Sequence, residues 1–253
     1  MKFSVLKILL CSSIIFSGST FAYFPTPQPQ EEILASRIAT IQVGAEQGNQ
    51  EAQYLYGLLL LSGRIVEKDP VNGFLWLTRA ATKGHKKAQK AVADLAFEGQ
   101  IVPRDLALAE KWYLKLDNSW AHFRLGFIYA AGGDGIKSNC GKAVNEFLKA
   151  GDVASKNNAV WILSTCPEAK YRNAKKAIMI ADQLKHHAPN NFAIFDNLAA
   201  AYAEYGKFDK AIHYQQKAIT LSRQQSSKDT PSMIKRLKLY EEGKPFREVI
   251  SLP

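Results

Sequence analysis

The sequence predicts an all-α protein: a right-handed α-solenoid of stacked helical hairpins. Three observations carry that prediction. Ala52, Gly63, Val66, Asp69 and Trp76 recur 36 residues later as Ala88, Gly99, Val102, Asp105 and Trp112, and a self-similar period of that length marks a stacked-repeat architecture. Trp161, Ala177 and Leu184 recur 34 residues on as Phe195, Ala211 and Ala218. Within the echoes apolar residues fall at helical spacing, as Ala52, Leu55, Tyr56, Leu59 and Leu60 do. A stack of this kind presents an extended surface suited to binding.

The elements follow in chain order. Residues 1–22 read as a secretory signal peptide: Lys2 and Lys7 give a positive start, Ile8 to Phe16 is apolar, and Thr20-Phe21-Ala22 ends on small residues, with cleavage expected after Ala22. The apolar run is shorter than the roughly 20 residues a membrane span needs. Leu10 ahead of Cys11 argues against a lipid-modified cysteine. Residues 23–30, with Pro25, Pro27 and Pro29, form a proline-rich, extended leader. Residues 31–48 read as a lone capping helix, whose Ala45 and Gly48 match Ala81 and Gly84 one period on; it covers the open end of the stack.

The first hairpin sets the pattern for residues 49–152. Gly63 ends its first helix, since glycine takes the left-handed cap freely. Asp69-Pro70 opens the second, with Asp as N-cap and Pro at the first helical position. Phe74, Leu75, Leu77, Ala80 and Ala81 give that helix its apolar face, and Gly84 closes it. The second copy runs from Lys87 to about Asp117, with Pro103-Arg104-Asp105 at the turn. The third begins at Ala121 and carries Leu125-Gly126, Gly132, a looser loop, and Ala143, Phe147 and Ala150. Trp76 and Trp112 repeat at the period itself and so serve the stack. In residues 153–225 the period shortens, and Pro167 is expected to break the opening helix there. Residues 226–253 hold a last helix, started by Thr230-Pro231 and ended by Gly243, with Met233, Leu237 and Tyr240 on one face.

The pattern Ala-Gln-Tyr-x-Tyr-Gly from Ala52, followed by Gly63, Val66, Asp69, Trp76, Ala80-Ala81, Gly84 and Ala88-Gln89, resembles the Sel1-like repeat family of the tetratricopeptide superfamily. The match is specific in the first repeat, good in the second, and weaker in the third, where Glu146 stands in the tryptophan's place. Leu198, Ala199, Tyr202, Gly206, Ala211 and Ala218 resemble the tetratricopeptide repeat proper. The resemblance implies α-helical hairpins and a binding role without chemistry, in a bacterial, exported protein. Chaperone-adaptor relatives clamp a peptide carboxylate with Lys and Asn. Asp196 and Ala200 occupy the matching places here, so that clamp is missing, while Asn197 and Glu204 can still hydrogen-bond an extended peptide.

Charge and cysteine usage narrow the partners. The formal net charge is +10, and removing Lys2 and Lys7 leaves +8. Such a balance attracts anionic polymers, but the bland reading is solvated helix faces. Export makes nucleic acid the least fitting partner. Cys140 and Cys166 remain after cleavage; they leave open a disulfide or a pair of small buried thiols, the latter the plainer expectation. There is no His-Glu-x-x-His, Gly-x-Ser-x-Gly or phosphate-binding glycine loop, so the sequence predicts no enzyme, no cofactor and no metal.

First helices of the hairpins should line the inner face. That places Tyr54, Leu58, Lys87, Lys90, Phe97, Trp120, Phe123 and Phe127 there, joined by Asn197 and Glu204 farther along. These ten are the candidate partner-binding residues. The expected function is a non-catalytic scaffold in the periplasm, or outside the cell, that docks a peptide or partner helix. The alternatives are a binder of peptidoglycan or another anionic envelope polymer, and a secreted effector that engages a host protein.

Overall fold

A computed structural model describes residues 29–252. The expected signal peptide and residues 23–28 of the leader lie outside the described residues. Within them the chain forms twelve α-helices: α1 Gln30–Glu46, α2 Gln50–Ser62, α3 Pro70–Thr82, α4 Lys86–Glu98, α5 Leu106–Leu116, α6 Ser119–Ala131, α7 Cys140–Ala150, α8 Val153–Thr165, α9 Ala174–His187, α10 Phe192–Glu204, α11 Phe208–Gln224 and α12 Thr230–Glu241. One 3-10 turn, Ala169–Tyr171, sits between α8 and α9, and no strand occurs among the described residues. Each helix packs on the next, and α8 also packs on α10. The result is a helical solenoid.

The helices start where side chains can close them. The first N–H groups of a helix have no partner within it. In α2 through α10 one of them is taken by the residue just ahead: Asn49, Asp69, His85, Asp105, Asn118, Asn139, Asp152, Asn173 and Asn191 in turn. His85 does this with Nδ1, accepting from Ala88 N–H at 3.1 Å. Gly63 and Gly99 end α2 and α4 at φ 62° and 69°, the left-handed geometry expected of them.

The period seen in the sequence recurs as hydrogen bonds. Asp69 N–H donates to Leu60 O at 3.0 Å, Asp105 to Ala96 O at 2.9 Å, Asn139 to Tyr129 O at 2.7 Å and Asn173 to Leu163 O at 2.8 Å. Each closes one hairpin loop. Buried Gln53 and Gln89 tie each hairpin to the preceding helix by donating to Ala45 O and Ala81 O, both at 3.1 Å. In the first hairpin the helices approach so closely that a Cβ on Gly57 would stand 2.8 Å from Gly73 O, and one on Gly73 would stand 2.9 Å from Gly57 O.

One continuous core runs from Leu77 to Ala201, with two smaller clusters under α12. Trp112 is buried in it, whereas Trp76 is half-buried beneath Arg79. Glu146, in the third tryptophan position, is buried and accepts from His122 Nδ1 at 2.6 Å and Lys149 at 2.9 Å. An ion-paired cluster thus replaces the indole.

Two expectations are corrected. Pro167 does not break a helix: α8 runs unbroken to Thr165, and Pro167 lies beyond its Cys166 cap. Cys140 and Cys166 are not a pair of thiols but a disulfide, with Cα atoms 6.4 Å apart. Hairpin packing brings the start of α7 to the end of α8, a proximity that the 26-residue separation alone does not reveal.

Candidate partner-binding face

Asp94 on α4 organises the candidate face. It pairs with Lys90 one turn earlier. Its Oδ1 also accepts from the Tyr113 hydroxyl at 2.6 Å and the Trp120 indole N–H at 3.0 Å. Burial, reinforced by the hydrogen bond to Asp94, pushes the Tyr113 hydroxyl far above its ordinary value, so it stays a donor. Three elements, α4, α5 and α6, are thereby tied at one carboxylate.

Trp120 is the exposed member, at 38%. Its ring has two cations against it: Lys90 Nζ at 4.6 Å and the Arg124 guanidinium carbon at 4.4 Å from the centroid. Such cation–π contacts are worth about 0.5–1 kcal/mol each at exposed sites. Arg124 is held from the other side by Glu98 at 3.3 Å. The indole is therefore fixed in place yet open to solvent, with positive charge beside it.

From Trp120 an aromatic run leads inward. Its ring lies 5.9 Å from Phe123, which meets Phe127 edge-on at 5.0 Å, and Phe127 meets buried Phe147 at 5.1 Å. Phe123 and Phe127 are half-buried and belong partly to the core.

The remaining candidates fall in different places. Tyr54 is half-buried, stacked on His85 at 4.6 Å. Leu58 and Lys87 are exposed on α2 and α4. Phe97 is a correction: it is 1% exposed, covered by Tyr113 and Arg124, and offers no surface. Asn197 is buried and donates to Asn157 O at 2.9 Å. Glu204 is half-buried and accepts from Arg172 at 2.8 Å and from Arg247. Asn197 and Glu204 both lie on α10, apart from the Trp120 cluster. Arg124 was missed; its place one turn after Trp120 was the available signal. No group of metal-ligating side chains occurs among the described residues.

The family model described as Sel1 repeat matches residues 50–85, 86–116 and 121–152. The chain carries three Sel1 repeats. Its Sel1-like repeats therefore coincide with α2 through α7, the hairpins that carry the Trp120 cluster. Repeats of this kind generally mediate protein–protein interaction, and their scaffolds are typically non-catalytic. The Sel1 repeat protein from Oxalobacter formigenes has a similar fold, at 20% identity and a TM-score of 0.51, covering 76% of this chain and 84% of that one. So has c5321, a protective antigen present in uropathogenic Escherichia coli strains and displaying an SLR fold, at 20% identity and a TM-score of 0.53, covering 83% of this chain and 45% of that one. Identity at this level speaks to fold alone. No curated protein matches the chain.

Proposed function

We propose that this chain is an exported, non-catalytic scaffold that docks a peptide or partner helix of another protein across α4 and α6. The observation that carries the proposal is the exposed Trp120, pinned by Asp94 and flanked by Lys90 and Arg124. Burying such a ring contributes about 2–3 kcal/mol, and a preorganised tryptophan beside an arginine is the composition of a binding hot spot. The two hairpins α8/α9 and α10/α11 are read as tetratricopeptide repeats that extend the stack, with α12 as its cap.

Export to the periplasm is supported by the signal-like first 22 residues and by the Cys140–Cys166 bridge, which belongs to an oxidising compartment. The anionic-polymer reading draws less support. Basic residues gather at Lys83, Lys86, Lys87 and Lys90, but Lys83 donates to Gly48 O, Lys86 to Lys115 O, and Lys90 pairs with Asp94, leaving Lys87.

The test is affinity capture from the envelope fraction with tagged chain and its Trp120→Ala variant. A discrete protein retained at moderate salt by the parent, and lost by a variant of unchanged helical circular dichroism, is the expected result. Equal capture by both chains would remove Trp120 from the site. Cell-wall fragments that dissociate on adding salt would shift the reading to the polymer, and recovery of the protein from the medium would shift it to the effector.

A further inference from the structure

The chain does not leave the molecule after α12. Lys244 N–H donates back to Leu239 O at 2.8 Å, reversing its direction, and residues 245–252 then run in irregular, non-helical conformation against α8 and α10. The Phe246 ring lies 5.7 Å from Trp161 of α8, with the Arg236 guanidinium 5.2 Å from Trp161 and 5.6 Å from Phe246. Arg247 pairs with Glu204 of α10 and reaches toward Ser164 O at 3.5 Å. Glu248 N–H donates to Thr165 O at 3.0 Å. Ile250 and Leu252 pack on the main core.

These contacts have one logic. The last carbonyls of a helix lack partners within it and carry the negative end of its dipole. At the end of α8, Ser164 and Thr165 offer such carbonyls, and beside them stands the Glu204 carboxylate, with Oε1 held by Arg172 and Oε2 left for Arg247. Together they form an acceptor-rich site for a guanidinium followed by a backbone N–H, next to an aromatic slot lined by Trp161. The segment does not fill the groove. A cleft of about 370 Å³ remains between it and α8, α10 and α12, with Asn157, Asn197 and Asp229 in its walls. The Asn157 Oδ1 is buried there without a hydrogen-bond partner among the described residues.

We infer that the groove between α8, α10 and α12 is a binding site for an extended peptide bearing an aromatic–arginine pair followed by apolar residues, and that residues 245–252 occupy it in cis. The ligand chemistry is read from the seated segment. The site is separate from the Trp120 face and does not rest on the function proposed for it. A tethered segment presents itself at an effective concentration on the order of 1 mM. A segment whose own intrinsic dissociation constant is about 100 μM is then closed about ten to one, which weakens the apparent affinity of an outside peptide by about tenfold.

The experiment titrates a fluorescein-labelled peptide of residues 244–252 into the full chain and into the full chain carrying Phe246→Ser and Arg247→Ala. The released variant is expected to bind about tenfold more tightly than the parent. The same peptide with its arginine replaced by alanine is expected to lose binding. If the double variant loses helicity, a specific protease site inserted after Glu242 and cut in the folded chain frees the segment for the same titration. Equal binding by parent and released chains would overturn the inference, as would indifference to the arginine. A concentration-dependent dimer that exchanges the segment between copies, seen by light scattering, would also overturn it in favour of a second copy as the occupant.

Discussion

Asp196 has its carboxylate inside the protein, where Arg236 grips it twice, Nε to Oδ1 at 3.1 Å and Nη2 to Oδ2 at 2.7 Å, and Gln215 donates to it at 2.7 Å. Burial pushes this carboxyl upward, while the guanidinium and the amide pull it back. The pair joins α10 to α12. Removing one member of such a pair leaves an uncompensated buried charge, at a cost of about 3–5 kcal/mol. Arg236→Ala should therefore lower the urea-unfolding free energy by about that much. The sign of its pH dependence follows. Without Arg236 the folded-state carboxyl lies still higher above its unfolded value, so the variant holds its stability at low pH and loses it as pH rises through that value. Because burial raises the carboxyl in the parent as well, the gap between parent and variant should widen only as pH climbs past the parent's own folded-state value; a gap constant from acid to neutral pH would show that Asp196 is not the source of the loss.

At the scale of elements, contact between helices is set by what side chains leave out. Gly57 and Gly73 face each other's carbonyls, and no methyl fits between them without moving α2 from α3. Gly57→Ala should cost about 1–3 kcal/mol, as overpacking generally does, and thermal unfolding would register it. The bridge from Cys140 to Cys166 closes a loop with a sequence separation of 26. Chain-entropy reasoning gives such a closure about 3.5 kcal/mol, so reductant or Cys166→Ser should lower the unfolding midpoint. An unchanged midpoint would mean that packing of α7 on α8 alone holds the two together. Elements marked by punctuation were legible beforehand: Asp69-Pro70, Asp105, Gly63, Gly99 and Thr230-Pro231 all stand where helices begin or end. Features made by distant groups meeting were not. Phe97 has the right helical offset for the inner face, yet Tyr113 and Arg124 arrive from two other helices to cover it. Residues 245–252 carry no period, so nothing local announces that they fold back onto α8.

For the whole molecule, stability should vary along the stack, because each repeat leans on its neighbours. The interior hairpins bury residues on several sides, while α1 buries Ala45 and leaves Ile33, Leu34 and Val43 exposed. Amide hydrogen exchange should therefore be fastest in the first half of α1 and slowest from α4 to α8. Uniform protection along the chain would instead indicate a single cooperative block. The candidate sites were legible to different degrees for the same reason. Trp120 follows from repeat offsets, which fix the face of a helix, whereas Asn197 and Glu204 rest on comparison with the tetratricopeptide clamp, and Asn197 is buried against Asn157 O. Arg247, Glu204's partner across 43 residues, follows no offset and emerges only from the tertiary path.

The distribution of indoles has an optical consequence. The chain has four tryptophans. Trp112 is 3% exposed, and half-buried Trp76 lies beneath Arg79 in the first hairpin. The other two stand one at each surface: Trp120, 38% exposed, on α6, and Trp161, 9% exposed, beneath residues 245–252. Each surface thus carries its own intrinsic fluorophore. An indole in water emits to the red of one in an apolar setting, so covering Trp120 shifts its emission to the blue, while lifting the segment from Trp161 shifts that emission to the red. Replacing either one by phenylalanine assigns the colour change, and the protein reports without a label which of its two surfaces has been engaged.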